Sequence, residues 1–386
     1  MRLIVCMSLI LLVMPEIIFP ANEIQKPVRG LWVVRYDLKT PSGIDSLLKL
    51  AAKYQFTDLF VQVRGRGDAY YASNYEPRAE GLSEDFDPLK YLLQENHAYG
   101  FRIHAWINVL FIWSSEVMPQ SQDHLVYLRP DWFVFPAKYS AATNLLERKA
   151  NSEGLFNSPF LPEVRDYLLR VIDDILSQYD VDGLHLDYIR YPGNKFDFHP
   201  RVRAAFKKKY ILDPLEFKNN KDQFVEKYGI NGYELYYERW TRFLSDGLSG
   251  LVKLIHQRVK EKYPGIILSA AVKADLWAAH YRFYQDWDQW LKQGWLDVAI
   301  PMNYAVDKME FLSRIRTMLR QGMMEKLWIG ISLYNQSTRE AIEKIKVVDG
   351  LLLNGFVLFS YSQLKSEKEF KKYYLKNVLI EGSKKP

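Results

Sequence analysis

The sequence predicts an α/β protein, a (β/α)8 TIM barrel with long insertions after the third and fourth strands. Two observations favour this fold: short apolar runs rich in β-branched residues recur eight times, and amphipathic helical stretches alternate with them. A third observation argues against an open doubly wound sheet, the second fold considered. After the first strand the chain reads VVRYDLKTPSG, without the glycine-rich turn that binds phosphates in that fold.

Each predicted strand is a short apolar run bounded by turn-forming or charged residues. In chain order the eight strands are VRGLWVVR (28–35), TDLFVQVR (57–64), FRIHAWINVL (101–110), VDGLHLDYIR (181–190), GIILSAAV (265–272), LDVAIPMNY (296–304), KLWIGISL (326–333) and GFVLFSYS (355–362). The clearest helical patterns between them are GIDSLLKLAAKY, DPLKYLLQENHAYG, PEVRDYLLRVIDDILSQY and SGLVKLIHQRVKEKY.

Two connections are long, residues 111–160 after the third strand and residues 192–250 after the fourth. Both leave the carboxyl ends of strands, where barrel enzymes build their active sites. We therefore expect them to form walls of a cleft within one catalytic domain, residues 22–386. Residues 1–21 carry a short positive start and an apolar run, which predicts an export signal or, alternatively, an uncleaved anchor.

Composition excludes several classes of function. The only cysteine, Cys6, lies in the apolar run, so an exported mature chain would have no disulfide, thiolate nucleophile or zinc–cysteine site. The net charge of +6 is spread along the chain without a basic block, which does not indicate a nucleic-acid partner. We expect a monomer without a cofactor, located in the periplasm, in the cell envelope or outside the cell, with no membrane span beyond the N-terminal segment.

Alternation along the strands predicts which side chains point into the barrel. In the fourth strand Leu184 and Leu186 share the face toward the helices, so His185 and Asp187 point inward, with Asp187 nearer the mouth. The same argument turns His104, Trp106 and Asn108 of the third strand inward, together with Gln62 and Arg64 of the second.

We expect Arg64 to neutralise Asp187, because an isolated buried carboxylate is costly. The alternative interpretation is a polar network that only plugs the barrel. Arg190 follows the fourth strand and either orients Asp187 or a substrate group, or is a surface charge. Further candidates for a cleft follow the other strands: Asp37, Asp68, Lys273, Asp275, Asn303, Tyr304, Tyr334, Asn335 and Tyr361. Trp106, Trp113 and Trp277 are candidates for stacking on sugar rings.

Residues 27–365 resemble the glycosyl-hydrolase-like family 10 proteins. The resemblance is carried by RGLWV (29–33), FVQVRGRGDAYYASNYEP (60–77), FDPLKYLLQENHAYGFRIHAWIN (86–108), FNSPFLPEVRDYLL (156–169), YDVDGLHLDYIRYP (179–192) and LDVAIPMNY (296–304). It implies a (β/α)8 barrel, an exported or envelope location and action on glycans; some relatives are thought to cleave peptidoglycan strands stripped of peptides. The chain departs from the family at RGRGDA, where RPAGDA is common, and at Met302, near a usual glutamine.

The sequence also resembles the DGxDxDxE motif of family-18 chitinases, although Tyr188-Ile189-Arg190 leaves no glutamate for that mechanism. Glycoside hydrolysis commonly needs two carboxyl groups. Asp187 is the first candidate, expected to be ionised with a low pKa and to act as nucleophile or to stabilise the oxocarbenium ion. Candidates for the second are Asp68 and Glu153, with Glu76, Asp275 and Asp307 also on suitable loops.

The sequence therefore predicts a glycosidase acting on an N-acetylhexosamine polymer such as cell-wall glycan, with substrate assistance by the acetamide as a mechanistic alternative. Two other functions are considered. One is a glycan-binding barrel without catalysis. The other is a metal-dependent hydrolase using His104, His185 and Asp187, with His280 as a further ligand, although no H-x-H pair follows the first strand.

Overall fold

The computed structural model of the chain describes residues 27–138, 152–366 and 372–374; the expected export signal, residues 1–21, lies outside them. The strands are β1 (Val28–Val33), β2 (Asp58–Arg64), β3 (Arg102–Asn108), β4 (Phe111–Trp113), β5 (Leu155–Phe156), β6 (Gly183–Asp187), β7 (Ile267–Lys273), β8 (Val298–Met302), β9 (Ile329–Ser332) and β10 (Gly355–Phe359). Eight of them close into a parallel barrel in the order β1-β10-β9-β8-β7-β6-β3-β2, while β4 and β5 form a small antiparallel pair. The predicted (β/α)8 barrel is confirmed.

The helices are α1 (Pro41–Lys53), α2 (Pro88–Asn96), α3 (Leu125–Leu128), α4 (Pro162–Gln178), α5 (Pro200–Tyr210), α6 (Pro214–Asn219), α7 (Lys221–Lys262), α8 (Leu276–Phe283), α9 (Trp287–Lys292), α10 (Lys308–Arg320), α11 (Thr338–Gly350) and α12 (Tyr361–Ser366). Their starts follow from the sequence. Thr40 accepts a hydrogen bond from the Gly43 N–H at the start of α1, and Ser337 and Glu340 form a reciprocal capping box on α11.

The outer face of the barrel strands packs against the helices and forms the larger core. Leu184 and Leu186 of β6 and Ile103 of β3 are fully buried there, as the strand alternation predicts. The inner face forms a second apolar cluster that includes Trp32, Phe60, Trp106, Trp328 and Val357. The barrel is therefore filled by side chains in its lower part, and open space begins only toward its mouth.

The two long connections occur where the sequence predicts them. The first, between β3 and α4, contains the β4–β5 pair and α3; the second, between β6 and β7, contains α5, α6 and the long α7. Gly229 interrupts α7 with φ of +72°, a left-handed value that glycine adopts without strain. Throughout the described part of the chain, no helix combines the length and the apolar character needed to cross a bilayer.

Candidate active site

A cleft of about 1570 Å³ opens at the carboxyl ends of the barrel strands. The last residues of five strands contribute to its lining: Asn108, Asp187, Lys273, Met302 and Phe359. In a (β/α)8 barrel this is the face on which enzymes assemble their chemistry. The parallel register places β3 and β6 side by side there, with Asn108 opposite Asp187.

Asp187 ends β6 at the bottom of this cleft, and only 9% of its surface is exposed. One carboxylate oxygen, Oδ1, accepts a hydrogen bond of 2.6 Å from the N–H of Tyr188. Burial, with a smaller contribution from the charge of Glu153, raises the pKa of Asp187 to about 6, and the Tyr188 N–H, Arg190 and Lys273 only partly oppose this rise. The low pKa expected from the sequence is therefore wrong: at mildly acidic pH Asp187 holds a proton.

Glu153 precedes β5 on the first long connection and lines the same cleft. Its Oε2 accepts a hydrogen bond of 2.7 Å from Nη2 of Arg190, and the Tyr188 hydroxyl is a second partner. Burial alone would raise the pKa of Glu153. The charge and hydrogen bond of Arg190, the charge of Lys273 and the Tyr188 hydroxyl outweigh burial and hold the pKa below its usual value. Glu153 is therefore ionised under conditions where Asp187 is partly protonated.

Arg190 is the residue that fixes this arrangement. Its side chain is 4% exposed, and its guanidinium lies 4.7 Å from the ring centre of Tyr188 and 5.0 Å from that of Phe283. Rings on the guanidinium restrict its orientation, so the ion pair with Glu153 has a defined geometry. Of the two sequence-based interpretations of Arg190, the surface charge does not fit a buried side chain; the guanidinium lies at the cleft and bonds to Glu153.

Aromatic side chains form another part of the cleft wall. The rings of Tyr304, Tyr334 and Phe359 lie 5.9 to 6.1 Å apart between centres. Trp106 lies deeper and donates a 3.1 Å hydrogen bond from its indole N–H to Oδ1 of Asn108, which orients both side chains. Such rings suit the apolar faces of sugars, and the hydroxyl groups of Tyr304 and Tyr334 suit the hydroxyl groups of sugars.

Arg64 does not reach Asp187, and the predicted ion pair between them is wrong. The guanidinium is fully buried against Glu76, with Nε donating at 2.8 Å to both carboxylate oxygens, and Tyr167 of α4 donates to the same carboxylate. A register shift between Gln62 and Arg64 in the β2–β3 pairing breaks the strand alternation. A bulge of this kind turns the next side chain away from the expected face, so Gln62 lines the cleft and Arg64 does not.

The two inward histidines lie below the cleft, as expected, but neither lines it. Nε2 of His185 accepts a hydrogen bond of 3.0 Å from the Trp32 indole, and its Nδ1 lies 2.9 Å from Oγ of Ser269. His104 pairs with the buried carboxylate of Asp58 at 2.9 Å. Burial, with a contribution from His104, lowers the pKa of His185 well below its usual value, so this ring is neutral. Both histidines form the polar floor of the barrel.

Other predicted site residues have structural partners. Asp68 accepts a hydrogen bond from the Arg66 N–H at 2.7 Å and does not line the cleft. Asn303 donates to the Phe311 carbonyl at 3.0 Å, and Tyr361 is buried at the start of α12. The predicted site residues that the structure brings together in the cleft are Glu153, Asp187, Trp106, Asn108, Arg190, Lys273, Asp275, Tyr304, Asp307 and Tyr334. Those outside its lining are Asp37, Arg64, Asp68, Glu76, His104, Trp113, His185, Trp277, Asn303, Asn335 and Tyr361.

Sequence reasoning missed Tyr188 and Arg35. Alternation turns Tyr188 away from the barrel interior, yet its φ of +49° bends the chain immediately after β6 and brings its side chain into the cleft lining. Such a conformation costs a non-glycine residue about 1–3 kcal/mol and is concentrated at functional sites. Arg35 follows β1 and donates a 2.8 Å hydrogen bond to Oε1 of Gln62. The only sequence signal for Arg35 is its place as the last residue of the predicted first strand, VRGLWVVR (28–35).

The metal-dependent alternative finds no matching set of side chains in the part of the chain that the structure describes. In the ranges 27–138, 152–366 and 372–374, no three His, Cys, Asp or Glu residues are grouped so that they could hold a metal ion. Ring nitrogens of His104 and His185 already have protein partners, and His280 pairs with Asp286.

Comparisons with known proteins agree with this architecture. The family described as "Glycosyl hydrolase-like 10" matches residues 27–346. "Glycosyl hydrolase YngK" of Bacillus subtilis (strain 168) is 25% identical over 323 residues, covering 74% of this chain but only 56% of the relative. "Glycosyl hydrolase DigH" of Escherichia coli (strain K12) is 22% identical over 389 residues, covering 85% of this chain and 78% of the relative.

Solved structures show the same fold at low identity. The PgaB (BpsB) glycoside hydrolase domain from Bordetella bronchiseptica superposes with a TM-score of 0.66 at 12% identity, covering 90% of this chain and 98% of that domain. The catalytic domain of β-amylase from Paenibacillus polymyxa gives a TM-score of 0.58 at 13% identity, covering 93% and 99%. At such identities the likeness concerns the barrel alone.

Proposed function

Because the chain belongs to the glycosyl hydrolase-like 10 family, as its sequence motifs predict, we propose that it is a glycoside hydrolase. The proposed substrate is a polysaccharide containing N-acetylhexosamine, such as the glycan strands of peptidoglycan. The observation that carries the proposal is a pair of cleft carboxyl groups with opposite pKa shifts, Asp187 raised to about 6 and Glu153 lowered. Two carboxyl groups whose environments drive their pKa values apart are typical of an acid and its ionised partner.

The roles follow from the two environments. Asp187, when protonated, gives its proton to the glycosidic oxygen as the bond between that oxygen and the anomeric carbon breaks. Positive charge then develops on the sugar ring, and the carboxylate of Glu153 stabilises it, either by bonding to the anomeric carbon or by activating a water molecule. In either case water supplies the hydroxyl group of the product. These roles reverse the sequence-based expectation, in which Asp187 was the ionised group.

Two cations of the cleft, Arg190 and Lys273, support the assignment of Asp187 as the acid and Glu153 as the ionised carboxylate. Arg190 bonds directly to Glu153, so the carboxylate stays ionised and correctly aimed. Burial lowers the pKa of Lys273 to about 8, with Arg190 adding to the effect and the two carboxylates opposing it. Lys273 is therefore still largely charged near pH 7, and its field counteracts the rise in the pKa of Asp187. The pKa of Asp187 thus stays at about 6, and an acid catalyst is most effective at a pH near its own pKa.

Peptide-free peptidoglycan strands are the substrate for the test. Wild-type protein, Asp187→Asn and Glu153→Gln are incubated with them, and the released fragments are followed by mass spectrometry. Asp123→Asn, an exposed aspartate outside the cleft lining, is the matched control. Each cleft variant should lose activity by at least about a hundredfold, while the control keeps it. Equal cleavage by wild type and Asp187→Asn would refute the assignment.

Two further outcomes separate the remaining alternatives. If Asp187→Asn is inactive while Glu153→Gln retains activity on substrates with an N-acetyl group, the acetamide of the substrate acts as the nucleophile and Asp187 orients it. If the wild type binds the strands without any turnover, the protein is a glycan-binding barrel. Residues 1–21 would deliver the protein to the envelope, which N-terminal sequencing of the protein from extracytoplasmic fractions tests.

A further inference from the structure

Beside the cleft, α8 exposes a large aromatic residue to solvent. Trp277 is 69% exposed, and its ring centre lies 5.4 Å from that of Tyr281, one helical turn further along. Of the tryptophans expected to contact sugars, Trp106 lines the cleft and Trp113 is buried, so Trp277 is the one that stands free at its edge. A tryptophan is usually highly buried, so the exposed Trp277 ring beside the half-buried Tyr281 is a candidate contact surface.

The Trp277 surface is continuous with the cleft. Asp275 and Ala278, on either side of Trp277 in the chain, both line the cleft. Oδ1 of Asp275 caps α8 by accepting a 2.9 Å hydrogen bond from the Ala278 N–H, which fixes the start of this helix. Since β7 ends at Lys273 within the cleft, the chain runs directly from the proposed catalytic groups to this exposed ring.

On its other side the surface meets α7. Tyr233, Tyr237, Glu234 and Glu238 line a second concavity of about 360 Å³ there. The ring centres of His280 and Tyr281 are 4.4 Å apart. The negative charge of Glu238, on α7, is close enough to contribute to the raised pKa of His280. The ammonium group of Lys221 lies 4.8 Å from the ring centre of Tyr233, and that of Lys218 lies 4.1 Å from the ring centre of Tyr237. These contacts restrict the orientation of both rings. Rings and carboxylates thus alternate from the edge of the cleft onto α7.

We propose that Trp277, Tyr281, Tyr237 and Tyr233, here called the aromatic strip, form a second polysaccharide-binding surface that extends the cleft. The inference rests on the proposed function, because its ligand is the same polymer at sugars distant from the cleaved bond. Flat rings stack on the apolar faces of sugars, and the adjoining carboxylates accept hydrogen bonds from hydroxyl groups. A ligand that contacts both the cleft and the aromatic strip must span several sugars, so the protein favours long chains over short oligosaccharides.

Binding is measured on the Asp187→Asn protein, so that hydrolysis does not consume the probe. The probes are the di- and hexasaccharide of β-1,4-linked N-acetylglucosamine and peptide-free peptidoglycan strands, titrated by calorimetry. Adding Trp277→Ala should weaken binding of the hexasaccharide and the strands by about tenfold and leave the disaccharide unchanged. Trp277→Tyr should restore most of the loss. The matched control is Tyr99→Ala, a partly exposed ring stacked on Phe101 before β3, at the opposite end of the barrel.

Several results would overturn the aromatic strip as a glycan surface. One is a Trp277→Ala substitution that weakens binding of short and long probes equally. The others are a Tyr99→Ala substitution that weakens binding as much as Trp277→Ala does, and the absence of binding by any probe. A change in oligomeric state on sedimentation, with glycan binding unchanged, would assign the strip to a contact between copies of the chain. Binding is measured without turnover, so the two proposals can fail separately. If the wild type does not hydrolyse the strands but long probes still bind more tightly than short ones, only the catalytic proposal is refuted.

Discussion

Asp187→Asn should stabilise the folded protein near neutral pH. Asp187 is almost completely buried, and its pKa is about 6 in the folded chain against an ordinary 3.8. An asparagine has nearly the same shape and keeps an Oδ1 that can accept the 2.6 Å hydrogen bond from Tyr188 N–H. The substitution therefore removes a charge that the folded state accommodates poorly while it retains the contact that orients the side chain.

The magnitude follows from proton linkage. A tenfold change in an equilibrium constant is about 1.4 kcal/mol, so the interval between pKa 3.8 and about 6 corresponds to about 3 kcal/mol. Because the folded pKa of Asp187 is the higher one, the folded state binds the proton more tightly than the unfolded state. Stability of the wild type therefore falls as pH rises from about 4 to about 6, and the full cost is present above that range. Asparagine does not titrate, so its advantage grows over the same window.

The assay is urea denaturation of wild type and Asp187→Asn at intervals from pH 4 to pH 8. The free energies of unfolding should differ by up to about 3 kcal/mol at pH 7, a figure that already includes the attraction to Arg190 and Lys273, and converge near pH 4. Asp123→Asn, exposed on a loop, controls for the general effect of removing a carboxylate. A variant that is less stable than wild type by the same amount at every pH would refute the reasoning.

Two further predictions concern neighbouring charges. Lys273→Met removes a cation that lowers the pKa of Asp187, so this pKa should rise above about 6. Glu153→Gln removes an anion that raises the pKa of Asp187, so this pKa should fall. Carbon-13 NMR titration of the Asp187 carboxyl group measures both shifts. Glu76→Gln leaves the fully buried guanidinium of Arg64 without its counter-ion and should cost about 3–5 kcal/mol in the free energy of unfolding, measured by urea denaturation, and a loss under 1 kcal/mol would contradict it.

The barrel could be predicted because its information is local. Each strand is recognised from a few consecutive residues, and alternation assigns their faces without knowledge of the rest of the chain. In β6 this correctly placed Leu184 and Leu186 against the helices and His185 and Asp187 inside. The predicted strands contain the eight observed barrel strands, except that β7 extends one residue further, to Lys273, whereas the short β4–β5 pair in the first long connection was not predicted.

The failures occur where local rules are broken. The bulge in β2 reverses the face of Arg64, and no residue in DLFVQVR marks it, since the shift appears only in the pairing with β3. The pKa of Asp187 was misjudged for the same reason: the expected counter-ion faces Glu76 instead. Asp68 serves a turn by accepting the Arg66 N–H, a role that its sequence motif does not reveal.

Glu153 shows why functional residues on loops are hard to predict from sequence. Its position on the first long connection made it one of several possible carboxyl groups, and alternation has no meaning on an irregular segment. What selects it is the Arg190–Glu153 ion pair, formed across 37 residues of chain, together with the Tyr188 hydroxyl. This contact depends on how two connections fold over the barrel mouth. A single sequence does not show which residues of the two connections meet there.

Depth within the barrel separates structural from chemical polar residues. His185 and Asp187 point inward from the same strand, two residues apart, so they differ by about 6.6 Å along it. At the lower level the Trp32 indole and the Ser269 hydroxyl contact both ring nitrogens of His185, and that group has no capacity left for a ligand. At the upper level the carboxyl group of Asp187 has the Tyr188 N–H as its only hydrogen-bond partner among the described residues and faces the open cleft. The lower layer thus seals the barrel, and a reactive carboxyl group is available only one layer above it.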